Sequence, residues 1–342
     1  MSEFVWKRGH TVAAIVAGAV LVGGGTATAI ALSNGPETPA AAPSGAGTLP
    51  ASTTPAATAS SSPKPRATDF LTGGAVSTNE VIAVKVENIA AARPQVGLGS
   101  ADIVFAEEVE GAQTRLVAVY HTRFPKRLGP VRSARSTDVQ LLPLFGKPGL
   151  VYSGANSNVQ GKISRSSIVP IERSTRDHTR VAPHNVFVNL DKIANSVKAG
   201  KVSDIGWTFA THDPRWDSAE RTSHLKGKVG NDTFSFDDTG GAYVVKWRGQ
   251  AYSDGDNGKR ATTDNVVIMS VHNHPDGNRD VLGSASVMSD TVGKGHVSIY
   301  RDGRKLSGTW IRKSSAGGLR FTDASGNDIP LKPGKTWVLL KG

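Results

Sequence analysis

Arg132 and Arg135 stand three residues apart in the stretch from Arg127 to Asp138, RLGPVRSARSTD, with the small residues Ser133, Ala134 and Ser136 around them. A guanidinium is a planar fork that holds two oxygens at once, so two forks beside small side chains make a seat for a phosphate or a carboxylate. If Ser136 or Thr137 opens a helix, its free amides and the positive end of its dipole would face the same seat. The expectation is a cradle beyond a Gly129-Pro130 turn. Arg132 and Arg135 grip an anion there, Arg115 assists, Ser133 donates a hydrogen bond and Asn185 is a further ligand-binding group. The opposing expectation is internal: Glu107, Glu108 or Glu110 neutralises both forks.

Glu107, Glu108 and Glu110 are the second chemical feature. Alternate strand residues share a face, so Glu108 and Glu110 are expected to project together while Glu107 points away. Paired carboxylates can hold a hard cation or divide acid and base roles; Glu108 can equally make a cross-strand ion pair with Arg115. His184, which follows Pro183 and precedes Asn185, sits where a loop meets an apolar run, a common place for a proton-transfer group. In SVHNHPDGN, His272 and His274 share a strand face with Asp276 nearby, a set able to ligate a metal, although the stretch also reads as a plain turn. The candidate catalytic residues are therefore Glu108, Glu110 and His184.

Several machines are absent. No Gly-x-x-x-x-Gly-Lys, His-Glu-x-x-His or Gly-x-Ser-x-Gly occurs, and Ser223-His224-Leu225-Lys226 lacks the Lys-Thr-Gly that would make its Ser-x-x-Lys meaningful. There is no cysteine, which removes disulfides, thiolate nucleophiles, cysteine metal sites and a lipid-bearing cysteine. No cofactor is named by these residues.

The elements that must position this chemistry are legible in the period of the apolar residues. EVIAVKVEN reads as a strand, and ADIVFAEEVEGAQTRLVAVYHT as two strands meeting in a two-residue loop at Gly111-Ala112, which would set Glu108 opposite Arg115. STDVQLLPLFG suits a short helix limited by Pro143, GLVYSGA a buried strand, and NLDKIANSVKAG a helix capped near Asn189 or Asp191 and ended at Gly200. Beyond Trp207, strands and tight turns dominate, including a hairpin around Asp302-Gly303. The fold class expected is α+β: a mixed α/β N-terminal subdomain at 69–206 and a mostly antiparallel β subdomain at 207–342.

The 342 residues carry a net charge of +11, of which residues 1–68 supply only two, so the globular part is itself strongly basic. Such a surface draws polyanions without choosing among them. Lys7, Arg8 and His10 precede an uncharged apolar run from Thr11 to Leu32, which reads as a signal peptide or signal-anchor helix over 1–32. Residues 33–68 are rich in Pro, Ala, Ser and Thr and read as a disordered linker. The protein is expected to be exported, either anchored in the membrane through its N-terminal helix and facing outside, or secreted.

ENIAAARPQVGLGSADIVFAEEVEGAQTRLVAVYH, LGPVRSARSTD and RVAPHNVFVN, followed by GTWIRK and LRFTDASGNDIPLKPGKTWVLL, resemble the YerB-like family of bacterial envelope proteins, domain of unknown function 3048, over nearly all of 70–342. The resemblance implies an exported envelope protein with separate N- and C-terminal domains, and it carries no reaction. The family's lipid attachment needs a cysteine that this chain lacks, which leaves the N-terminal helix as the tether. Three functions follow: binding of an anionic wall polymer or a phosphate- or carboxylate-bearing ligand, hydrolysis of an envelope polymer or nucleic acid through Glu108, Glu110 and His184, or a protein scaffold with an exposed apolar patch.

Overall fold

IAVKVEN and IVFAEE are rich in β-branched and apolar residues and buried along almost their whole length, and such strands are stable only in a sheet covered on both sides. The computed structural model describes residues 68–280 and 283–342, all within one unit spanning Ser62–Gly342. The expected leader or anchor at 1–32, and the linker as far as residue 67, lie outside the described residues. No described helix is long and apolar enough to cross a membrane.

The N-terminal part contributes β1 (Ile82–Asn88), β2 (Ile103–Glu108), β3 (Thr114–Tyr120), helix α1 (Ser136–Leu141), β4 (Gly149–Val151), α2 (Ser157–Ser164), β5 (Val169–Ile171), β6 (Thr175–Arg176), β7 (Val186–Phe187) and α3 (Leu190–Ala194). After α4 (Pro214–Asp217) come β8 (Glu220–Arg221), β9 (His224–Val229), β10 (Asp232–Asp238), β11 (Tyr243–Trp247), β12 (Gln250–Ala251) and β13 (Thr262–Thr263). The chain closes with β14 (Asn265–Ser270), β15 (Asn273–Arg279), β16 (Ala285–Ser289), β17 (Gly293–Arg301), β18 (Arg304–Arg312), β19 (Arg320–Thr322) and β20 (Thr336–Lys341). The fold is α+β, with a mixed N-terminal sheet and largely antiparallel C-terminal strands.

The main sheet runs β19-β18-β17-β14-β20-β2-β3-β1-β4-β5, with β8 on β18. Its centre is the last strand: β20 lies between β14 and β2 and is parallel to both. Both family-like stretches therefore hydrogen-bond into one sheet. On one face, α1 and α2 cover Phe105, Val117 and Phe145; on the other, the antiparallel sheet β12-β11-β10-β9 buries Phe234, Phe236 and Trp247 against Val84, Ala106 and Trp337. Gly227 of β9 is required at this contact, because a Cβ there would come within 2.3 Å of Leu339 Cδ1.

Two local expectations are corrected. The β2–β3 connection is longer than a two-residue loop: a 3-10 turn at Glu110–Ala112 closes with Val109 N donating to Gln113 O at 2.8 Å, with Gly111 at φ +65° and Ala112 at φ +53°. Register moves by one, so Glu108 faces Thr114 and Glu107 faces Arg115. Because the side-chain period is two, that slip puts Glu107, in place of Glu108, on the face that Arg115 occupies. Gly129-Pro130 is no turn either. Residues 129–132 run extended beside β1, with Glu87 N donating to Pro130 O and Arg132 N to Lys85 O, both at 2.9 Å.

The helix expected from Asn189 and the hairpin expected at Asp302-Gly303 are both present. Asn189 caps α3 by accepting from Lys192 N at 2.9 Å, although the helix ends at Ala194, short of Gly200. The β17–β18 hairpin turns at Asp302 and Gly303, both with positive φ.

Candidate functional site

Lys85 and Glu87 are alternate residues of β1, so both project from the face of the sheet that α1 covers. Arg115 of β3 lies between Glu87 and Glu107 in the ladder and joins them on that face. Lys85 Nζ donates to Asp138 Oδ1 at 2.7 Å and to Glu107 Oε1, and all three side chains are fully buried. Burial, then the charge of Asp138, raises the Glu107 carboxyl above the usual range despite Lys85, and its Oε2 has no hydrogen-bond partner among the described residues. Burial, and next the charge of Arg135, pulls the Arg115 guanidinium down to about 10.

The proposed forks are not short of counter-charge. Arg135 is 8% exposed and grips Glu110 with both arms, Nε to Oε1 at 2.5 Å and Nη2 to Oε2 at 2.9 Å. Burial works against the ionised Glu110, but Arg135 outweighs it and holds the carboxyl low. Arg132 Nε lies 3.0 Å from Glu87 Oε1, at an angle that misses a straight hydrogen bond. Arg115 reaches Ser133 O at 2.9 Å and Glu110 Oε2 at 3.8 Å. Ser133 Oγ is turned to Ser153 O at 3.4 Å.

The first turn of α1 is also occupied from within. Asp138 Oδ2 accepts the Arg135 amide at 2.6 Å, so this chain supplies its own anion where a ligand was expected. Lys85, Arg115, Arg132 and Arg135 thus meet Glu87, Glu107, Glu110 and Asp138, four basic side chains against four acidic ones. With Arg135 held on both arms by Glu110 and Arg132 facing Glu87, neither fork is short of a counter-charge, and this corrects the premise of the Arg132–Arg135 cradle.

The remaining candidates are partly gathered and partly dispersed. His184 Nδ1 lies 2.9 Å from Glu87 Oε2, so His184 and Arg132 share one carboxylate. Asn185 is buried and accepts from Arg176 Nη1 at 3.2 Å. Glu108 points to the opposite face of the sheet and accepts from Asn273 Nδ2 at 2.9 Å; it does not join Glu110 or His184. Asp276 is separated from the histidines, because its carboxylate accepts from Ser136 Oγ at 2.6 Å. Asp290 meets His272 and His274 instead.

Surplus positive charge lies elsewhere, along β6, β7 and α3. A groove of about 550 Å³ is lined by Lys126, Arg127, Arg176, Asp177, Phe187 and Lys192. It shares Thr175, Asn189 and Lys192 with a hollow bounded by Arg173, and Arg127 and Asp177 with another bounded by Arg180. The acid that lines this trough, Asp177, is taken by Arg127, which also pairs with Asp256 and lies over the Phe187 ring at 4.4 Å. The other arginines have neutral partners: Arg173 donates to Ser196 Oγ at 2.7 Å, Arg176 to Asn185, and Arg180 to Pro94 O at 3.0 Å. Lys126, Arg173, Arg176 and Lys192 are exposed.

Lys85, Glu87, Asp138 and Asp290 were missed as site residues, and so was the trough. Lys85 and Glu87 did leave a signal: two ionisable residues at alternate positions in an otherwise apolar strand must either ruin its buried face or find partners there. Asp290 and the trough left none, because each depends on which loops the fold brings together.

The chain matches the model "Protein of unknown function (DUF3048) N-terminal domain" over residues 71–203 and the corresponding C-terminal domain over 223–338. It is 26% identical over 295 residues to YerB of Bacillus subtilis (strain 168), whose name describes it as a candidate lipoprotein; the match covers 79% of this chain and 84% of that protein. The crystal structure of YerB from Bacillus subtilis superposes with a TM-score of 0.67 at 22% identity, over 80% of this chain and 96% of that one, which is a likeness of fold. With both domains present and in order, the chain belongs to the DUF3048 family.

Proposed function

We propose that the protein acts on the outer side of a bacterial envelope, where it holds an anionic wall polymer in the trough along β6, β7 and α3. One observation carries the reading: six cationic side chains line the trough, while the acid that lines it is taken by Arg127. A polymer with a repeating phosphate or carboxylate fits such a track, because each exposed guanidinium or ammonium can meet a successive charge. Phe187, itself buried, carries Arg127 and Arg180 on its ring and so positions both guanidinium groups. The basic, apolar N-terminal stretch through Leu32 and the name of YerB support an exported, tethered protein.

A second reading, hydrolysis of the bound polymer, is favoured by His184. Glu87 holds its Nδ1, which leaves Nε2 as the nitrogen able to exchange a proton with a substrate. The scaffold reading has little support, since the exposed large apolar side chains among the described residues are Val76 and Val181.

One experiment separates these readings. The protein is incubated with a purified teichoic-type polymer and with a neutral glycan at two salt concentrations, and both binding and release of fragments are measured. Binding of the anionic polymer alone, weakening with salt, is expected. The variant Lys126→Ala/Arg173→Ala/Arg176→Ala/Lys192→Ala should lose affinity about tenfold or more without a change in melting temperature, since each exposed pair is worth about 0.2–1 kcal/mol and tenfold is about 1.4 kcal/mol. Wild-type affinity in that variant overturns the proposal. Fragment release abolished by His184→Gln, with binding intact, establishes the hydrolase; no release leaves binding as the activity.

A further inference from the structure

The ribbon β15–β16 pairs Asn273 with Ser289 and His274 with Met288, and Asp290 N donates to His272 O at 2.9 Å, which extends the ladder by one residue. Strand alternation then puts His272, His274 and Asp290 on one face, the two histidines side by side and the aspartate across from them. His272 Nδ1 lies 3.2 Å from Asp290 Oδ2, and His274 Nε2 lies 3.3 Å from Asp290 Oδ1. Two donors bound to one tetrahedral ion at about 2.0–2.1 Å sit about 3.4 Å apart, so both distances already match a shared metal. One donor atom from each residue falls within 4.8 Å of the others, and His272, whose side chain is 76% exposed, has room to close the remaining edge.

The surroundings of His274 point the same way. Its Nδ1 lies 3.1 Å from Pro275 O, and a carbonyl can only accept, so Nδ1 carries a hydrogen. Nε2 is thereby the nitrogen turned to Asp290 Oδ1, 3.3 Å away: with a proton it donates to the carboxylate, and without one its lone pair is free for a metal that the same oxygen can share. An imidazole fixed through its far nitrogen by a carbonyl is the arrangement that prepares a histidine for a metal.

We propose that His272, His274 and Asp290 bind one divalent ion of the zinc class. Two imidazoles and a carboxylate without sulfur suit Zn2+, Ni2+ or Cu2+. Three protein ligands at an exposed ribbon leave a coordination position open to water or to an anionic group. This site is separate from the trough, and neither depends on the other.

The test uses the full chain, carrying no affinity tag and stripped with a chelator. Zn2+ is titrated by calorimetry, and Co2+ is added as a spectroscopic probe whose visible bands report tetrahedral nitrogen and oxygen ligands. One ion per chain is expected, with affinity lowered about tenfold or more in His272→Ala, His274→Ala and Asp290→Asn. The exposed His296→Ala serves as a control and should bind as the parent does. His272→Gln is measured as well, with melting temperatures for every variant, so that a folding defect is distinguished from a lost ligand. Absence of saturable binding, or unchanged affinity in His272→Ala and Asp290→Asn, overturns the proposal.

Discussion

Lys85 is a lysine with no access to water, tolerated because Glu107 and Asp138 both reach its ammonium. Removing one member of a buried ionic set costs more than the set contributes, because the partners left behind cannot be solvated. Lys85→Met should therefore lose about 3–5 kcal/mol in chemical denaturation. Glu107→Gln should lose clearly less, since burial and Asp138 already push the Glu107 carboxyl toward its neutral form. Equal losses in the two variants would mean that Glu107 is fully ionised in the fold. At the same scale, Glu87 meets Arg132 with one oxygen and His184 with the other, which ties the two side chains into one unit.

At the scale of elements, the lead-in to β1 is fastened to the end of β3 through one carboxylate. Asp69 Oδ1 accepts from Leu71 N at 2.9 Å and Thr72 N at 3.1 Å, and Asp69 Oδ2 meets His121 Nε2 at 3.1 Å. Burial opposes the charge of Asp69, but His121 and the amides of Leu71 and Ser77 outweigh it and hold the carboxyl at about 2. Burial likewise opposes the His121 imidazolium, and Asp69 outweighs it and raises the histidine. The depressed aspartate contributes stability above its ordinary value near 3.8, on the order of 2 kcal/mol, which is lost as pH falls toward 2. The raised histidine contributes below its ordinary value near 6.5 and loses that contribution as pH rises through its folded value. Melting temperature against pH should thus fall on both flanks, and Asp69→Asn should flatten both; a slope unchanged by that substitution would assign it to other groups.

At the scale of the whole molecule, β20 joins two family domains that are separate in sequence. Its parallel pairing with β14 on one side and β2 on the other means that neither half closes the sheet alone, and the core under α1 mixes Phe105 and Phe145 with Val267, Trp310 and Leu340. Residues 68–222 made alone would present β2 as an open edge above an uncovered apolar face, which favours aggregation over folding. Each half produced separately should lack dispersed amide signals and melt without cooperativity, and mixing 68–222 with 223–342 should restore both. An independently folded N-terminal half would show that β20 is dispensable.

Local chemistry in the chain was enough to find β1, β2 and β3, the start of α3 to within Asn189 or Asp191, the Asp302-Gly303 hairpin and the exclusion of cysteine chemistry. These features follow from backbone sterics, apolar period and capping within a few residues. The family was legible because whole blocks of such features occur in order. Which charges meet was not legible: Arg135 is neutralised by Glu110, Arg132 by Glu87, the histidine pair faces Asp290 and not Asp276, and the unpaired cations collect beside β6 and β7. Those pairings are set by strand order and by a register in which one residue of slip puts Glu107, in place of Glu108, on the face that Arg115 occupies, and only the folded chain decides either.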